Sequence, residues 1–149
     1  MGIGMFRAID VSASGLTAER LRMDVISNNI ANVNTTRTED GGPFRRQLCI
    51  FQARKPFARW PLLDRKKPQE IGYGVRVCAI MSDQAPFKLI YDPNHPDADK
   101  DGYVRMPNIN IVHEMVDMIT ATRAYEANVT CINASKDMFN AALGIGGRR

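Results

Sequence analysis

MFRAIDVSASGLTAERLRMDVISNNIANV, residues 5–33, decides the fold, because its apolar side chains fall on one helical face. Phe6, Ile9, Ala13, Leu16, Met23, Ile26, Ile30 and Val33 recur at steps of three and four, interrupted only at Arg20, which is the period of an amphipathic helix. INIVHEMVDMITATRAYEANVTCINASKDMFNAAL, residues 109–143, repeats the pattern with Val112, Met115, Met118, Thr122, Tyr125, Val129, Ile132, Phe139 and Leu143, interrupted at Lys136. Each stripe resembles a coiled-coil seam. A helix of roughly 28 residues is about 42 Å long at 1.5 Å per residue and needs a partner along its whole length.

Helices at opposite termini meet only if the chain folds back on itself. The expected fold is therefore mainly α with a small β part: long N- and C-terminal helices packed as a coiled-coil-like pair, plus a small central β-rich domain. The boundaries read from the pattern are 5–34, 35–108 and 109–143. A bare two-helix pair buries little for the entropy it costs, so the termini are expected to become helical only when packed against neighbouring subunits.

At 149 residues the chain has room for one ordinary domain, which excludes a large catalytic architecture. No apolar run approaches the roughly 20 residues that span a bilayer, and no basic-then-apolar leader opens the chain. Neither membrane insertion nor a cleaved signal peptide is expected. Lipidation is not expected either, since Phe6 stands where a myristoylation signal wants Ser or Thr. Cys49, Cys78 and Cys131 are odd in number and far apart, without the close Cys/His pairing that holds zinc. They read as buried thiols in apolar surroundings. The histidines, His95 and His113, have no nucleophile spaced for a triad and read as structural or solvent-facing.

The net charge of +4 is unevenly placed. Residues 1–42 hold 4 basic and 5 acidic side chains, residues 43–88 hold 10 and 3, and residues 89–149 hold 6 and 8. All of the positive excess thus lies in the middle, where residues 44–51, 74–81 and 87–91 alternate or run apolar like short strands. Between the first two, Pro56, Pro61, Pro68, Gly72 and Gly74 with Arg65-Lys66-Lys67 mark a solvated loop. A basic run near Phe57 and Trp60 could serve nucleic acid, but it is short and no nucleic-acid motif accompanies it. No nucleic-acid partner is expected.

One motif carries metal chemistry. Asp97-Ala98-Asp99-Lys100-Asp101-Gly102 matches the opening of a calcium-binding EF-hand loop. The match fails at its twelfth position, Asn108, where a bidentate Glu is needed, and Pro93 and Pro96 break the entering helix. A tight acidic turn accounts for the composition without a metal. The alternative function kept open is a small calcium-dependent binding module using Asp97, Asp99 and Asp101; on the leading reading no cofactor or metal is expected.

Ser12-Ala13-Ser14-Gly15-Leu16-Thr17-Ala18-Glu19-Arg20-Leu21-Arg22-Met23-Asp24-Val25-Ile26-Ser27-Asn28-Asn29-Ile30-Ala31-Asn32-Val33-Asn34-Thr35-Thr36 resembles the N-terminal signature of bacterial flagellar rod and hook proteins. Met115-Val116-Asp117-Met118-Ile119-Thr120-Ala121-Thr122-Arg123-Ala124-Tyr125-Glu126-Ala127-Asn128 resembles the matching C-terminal signature. The central Tyr91 to Val104 piece, with Pro107-Asn108-Ile109-Asn110, is similar to the proximal rod branch of that family. The resemblance covers roughly two thirds of the chain.

It implies a structural, non-enzymatic subunit of the flagellar basal-body rod, part of the shaft that carries torque from motor to hook. Implied partners are copies of itself, other rod proteins, and the flagellar type III export apparatus with its base ring. The implied location is the rod outside the cytoplasmic membrane, reached by export without a cleaved signal peptide. The departures are the Met1-Gly2-Ile3-Gly4 extension, the basic stretch around Arg54 to Lys67, and the trailing Arg148-Arg149.

The resemblance also gives the asparagines a role. Asn28, Asn29, Asn32 and Asn34 lie where the first helix should end, as a terminus and turn, or some are buried between helices of adjacent subunits to enforce one register. Asn128 and Asn133 invite the same question. Arg123 and Glu126, three apart, either pair on the helix surface or bridge subunits. The candidate assembly interface is Leu16, Met23, Ile26, Asn28, Asn29, Ile30 and Asn32 on the first helix, with Met115, Met118, Arg123, Tyr125, Glu126, Asn128, Val129 and Ile132 on the second. A wall-degrading enzyme would need two carboxylates facing a saccharide-sized groove, and the acidic turn is too local for that.

Overall fold

The computed structural model describes residues 3–39, 41–54 and 72–146. Phe57, Trp60, the run Arg65-Lys66-Lys67, most of the Arg54–Lys67 stretch, Met1-Gly2 and Arg148-Arg149 lie outside the described residues. The elements in chain order are α1 (Ile3–Ala31), β1 (Gln47–Ala53), β2 (Val75–Ser82), β3 (Lys88–Tyr91), β4 (Tyr103–Met106) and α2 (Ile111–Gly146). The chain is mainly helical with a small β part.

The two helices are antiparallel. Phe6 meets Phe139 with ring centroids 6.2 Å apart, Thr122 donates to the Met23 sulfur at 3.7 Å, and Arg22 reaches Asp117 at 3.4 Å. The close approach falls midway, where a Cβ added to Gly15 would lie 2.9 Å from Nδ2 of Asn128. Both segments are helical and lie against each other within one chain.

Small residues explain the pairing. Buried on α1 are Ser14, Gly15, Ala18, Val25, Ile26 and Asn29; on α2 they are Glu114, Ala121 and Ser135. Of the expected stripes, Ile26 is buried, and Ile9, Ala13, Leu16, Met23, Ile30, Met118, Thr122, Tyr125, Val129 and Ile132 are half-buried. Phe6, Val112, Met115, Phe139 and Leu143 stay exposed. A period counted on large apolar residues marks what a helix can bury, while two helices in close contact select small side chains that let their backbones approach.

α1 has a second neighbour. β1 and β2 form an antiparallel hairpin, Gln47 opposite Ser82 and Ala53 opposite Val75, that packs along α1. Ser14 fastens it: its hydroxyl accepts from Val75 N–H at 3.0 Å while donating to Val11 C=O at 2.6 Å. Gly74, at φ +86°, lets the strand come this close, because a Cβ there would run into Ser14 Oγ. The register shifts between Ile50 and Phe51, so Ile50 faces Ala79, Phe51 faces Val77, and Cys78 is left as the bulged residue. Consequently Cys78 is exposed, as is Cys131 on α2, and Cys49 is only partly buried. The expectation of three buried thiols fails because a two-stranded sheet and a two-helix pair each leave one face to solvent.

β3 and β4 make a separate antiparallel hairpin. It carries Tyr91 edge-on to Tyr103 at 5.3 Å and buries Val104. The expected strands at 44–51, 74–81 and 87–91 therefore appear with shifted ends, and β4 joins them. Pro107 and Ile109 are buried next to it, and Asn110 caps α2, its side chain accepting from Val112 N–H at 3.1 Å and its carbonyl from Glu114 N–H at 3.0 Å.

Candidate assembly interface

Two surfaces meet the chemistry expected of an assembling subunit. One is internal and polar, the other external and apolar.

The internal one is a clasp where α1 ends, β1 begins and α2 begins. Asn29 is fully buried, and its amide acts as a surrogate strand edge: Nδ2 donates to Gln47 C=O at 2.9 Å and Oδ1 accepts from Gln47 N–H at 2.9 Å. That satisfies both peptide groups of Gln47 at the start of β1. Nδ2 also donates to Glu114 Oε2 at 3.0 Å. Glu114, 1% exposed, receives Arg46 Nε on its other oxygen at 2.6 Å. Arg46 reaches on to Asp117 at 3.1 Å, and Asp117 is shared with Arg22. Arg46 N–H donates to Asn108 Oδ1 at 2.9 Å, while Asn108 Nδ2 donates to Asp83 C=O at 3.3 Å. A buried carboxylate is tolerated only when paired and hydrogen-bonded in this way.

Around the clasp lies a cavity of about 220 Å³, lined in part by Arg22, Ile26, Arg46, Cys49, Phe51 and Asp117. Burial pushes the Cys49 thiol up from its ordinary value; Arg22 opposes that shift and Glu19 adds to it.

Arg22, Arg46, Glu114, Asp117, Gln47 and Asn108 were not among the residues marked by apolar periodicity. A usable signal existed: Glu114, Met118, Ala121, Tyr125, Asn128, Ile132 and Ser135 recur at alternate steps of four and three. That places a carboxylate in line with the seam, which calls for a buried cation elsewhere in the chain.

The external surface is on α2. Ile111, Val112, Met115, Val116 and Ile119 are 45–64% exposed and project together from its first turns, away from the side that faces α1. Large apolar side chains clustered in solvent mark an interaction surface.

The candidate interface residues divide accordingly. Ile26 is buried, and Leu16, Met23, Ile30, Met118, Tyr125, Val129 and Ile132 are half-buried along the helix pair. Asn29 sits in the clasp. Asn28 reaches Gln47 Oε1 at 3.4 Å, and Asn32 turns back on Asn28 C=O at 2.9 Å, closing the end of α1. Asn128 lies against Gly15 and donates to Ala124 C=O. Met115 belongs to the exposed face, and Arg123 pairs with Glu126 at 3.1 Å on the helix surface.

The acidic turn is hydrogen-bonded within itself, Gly102 N–H to Asp99 C=O at 2.8 Å with Gly102 at φ +78°. Asp97 accepts from Thr36 at 2.8 Å and Asp99 lies 3.5 Å from Arg105. Their carboxylates are drawn to different partners, so the geometry lends no support to the calcium-dependent reading. Among the described residues no helix is long and apolar enough to cross a membrane.

Known proteins carry the same pattern from end to end. The family described as "Flagella basal body rod protein" matches residues 9–37, and that described as "Flagellar basal body rod FlgEFG protein C-terminal" matches residues 100–145. The chain is 57% identical to the flagellar basal-body rod protein FlgC of Borreliella burgdorferi, over 96% of this chain and 98% of that one. It is 44% identical to FlgC of Bacillus subtilis over 95% and 97%, and 35% identical to FlgC of Salmonella typhimurium over 97% and 99%. Matches of this extent span both helices and the hairpins between them, and the chain belongs to the FlgC family of flagellar basal-body rod proteins.

Proposed function

We propose that this chain is a subunit of the flagellar basal-body rod that packs lengthwise against its neighbours through its terminal helices and there helps carry torque from motor to hook. It is a structural protein and not an enzyme. The single observation that supports lengthwise packing is the uncovered apolar face of α2, Ile111 through Ile119. Fully burying such a side chain from complete exposure is worth about 1.5–3 kcal/mol, and at 45–64% exposure roughly half of that remains to be gained. The neighbours on this reading are copies of the chain and other rod proteins.

The length of α2 supports a shaft role on this reading. A 36-residue helix is about 54 Å long at 1.5 Å per residue, and helices laid along an axis resist bending and twist through many weak contacts. The proposed location is the rod beyond the cytoplasmic membrane, reached through the flagellar type III export apparatus and seated near its base ring.

The test is to express the tagged chain in cells lacking their own copy and to purify basal bodies. Recovery in the rod fraction with restored motility is expected; a chain that stays soluble and absent from basal bodies would overturn the reading.

A further inference from the structure

We propose that the apolar ridge at the start of α2 seats in a groove near the far end of the helix pair of a second copy of this chain, and that the contact repeats from copy to copy in one direction. The proposal rests on the rod reading and names the partner of the α2 face described there. Three observations carry it.

The first is a receptor for the ridge on the chain itself. An open groove of about 620 Å³ lies between α1 and α2, lined by Ala8, Val11 and Ser12 on one side and by Cys131, Ala134 and Met138 on the other. Apart from Val11 and Met138 these are small side chains, and Cys131, Ala134 and Met138 are exposed. Arg7, which also borders it, is engaged on the hairpin side, donating to Gly72 C=O at 3.2 Å and lying over the Tyr73 ring at 4.5 Å. The ridge supplies the opposite shape, since Val112, Met115, Val116 and Ile119 are large and 55–64% exposed. Protruding rows that enter hollows between small residues are how helices pack against each other.

The second is where the two lie. Their centres are roughly 20 residues apart along α2, which is about 30 Å at 1.5 Å per residue, and roughly a third of a turn apart around it. One continuous helix cannot bring its own ridge to its own groove, so the occupant belongs to another molecule. A copy that gives its ridge keeps its groove free for the next, which makes the contact heterologous and open-ended. Two copies pointing the same way are then staggered by about 30 Å.

The third is area. The chain exposes 11828 Å², whereas a compact monomer of 16.7 kDa exposes about 7,600 Å². The excess is several times the roughly 800 Å² that each partner buries in a stable interface. One chain therefore has surface enough to give a ridge and receive another at the same time.

The test is disulfide trapping in basal bodies from cells lacking their own copy. Cys49→Ser and Cys78→Ser leave Cys131 in the groove, and Val112→Cys, at a position 64% exposed, adds a thiol to the ridge. The stagger sets these two opposite each other in neighbouring copies, within disulfide reach. Mild oxidation is expected to give covalent dimers and trimers, about tenfold or more above the protein that carries Cys131 alone. Protein incorporated in the rod that gives no such products would overturn the contact and leave the rod reading standing. Products that stop at the dimer, or that join the chain only to a different protein, would overturn it as well. Absence of the Cys131-only protein from basal bodies would overturn the rod reading and this contact with it. Ala134→Trp is the second variant, filling the groove from an exposed position without touching the ridge. It should keep its circular dichroism and be lost from basal bodies, and normal incorporation would overturn the proposal.

Discussion

Asn29 and Glu114, 85 residues apart in the chain, meet at 3.0 Å, and both are buried. One primary amide serves a strand and a carboxylate at once, and it thereby fixes where the end of α1, the start of β1 and the start of α2 stand relative to one another.

Asn29→Leu removes the partner of Gln47 N–H and C=O and of one Glu114 oxygen, leaving buried groups unpaired. The cost expected in urea unfolding is about 3 kcal/mol or more. A loss under about 1 kcal/mol would show that water or a neighbouring side chain replaces the amide. Reduced assembly in this variant must accordingly be read beside its stability.

Gly15→Ala gains helix propensity of about 1 kcal/mol but sets a methyl against Asn128, whose side chain is held by Ala124 C=O. The net result expected is a destabilisation of roughly 1–2 kcal/mol from overpacking. In an Asn128→Ala background the same change should turn stabilising. A double-mutant cycle by thermal denaturation checks the sign reversal.

Cys49 should label last. Its thiol ionises above the ordinary range because burial disfavours the thiolate, whereas Cys78 and Cys131 are exposed. With a thiol reagent at pH 8, two sites should react quickly and Cys49 slowly. Raising the pH should speed the reaction of Cys49, whose raised ionisation holds it back at pH 8. Three equal phases would contradict the burial.

Much of this was legible in the sequence. Both helices, their approximate ends and the central strands follow from period and turn residues, because local spacing controls them. The seam was less so. Gly15, Ala18 and Ala121 carry no apolar signal of their own, yet they are what lets the helices touch. The clasp was least legible: Arg46 and Glu114 are 68 residues apart, and only the folded chain says which distant cation answers a carboxylate in a helix seam. The cysteines misled for a related reason, since a residue type that is usually buried says little in a chain whose elements each keep one open face.

If the uncovered face of α2 is an assembly surface, Val116→Glu with Ile119→Glu should disable it. Both side chains are more than half exposed in the single chain, so the doubly substituted protein should keep its circular dichroism and melt within about 0.5 kcal/mol of wild type. Produced in cells lacking their own copy, it should be missing from purified basal bodies and leave the cells non-motile. Normal rods and full motility with both glutamates in place would contradict the account.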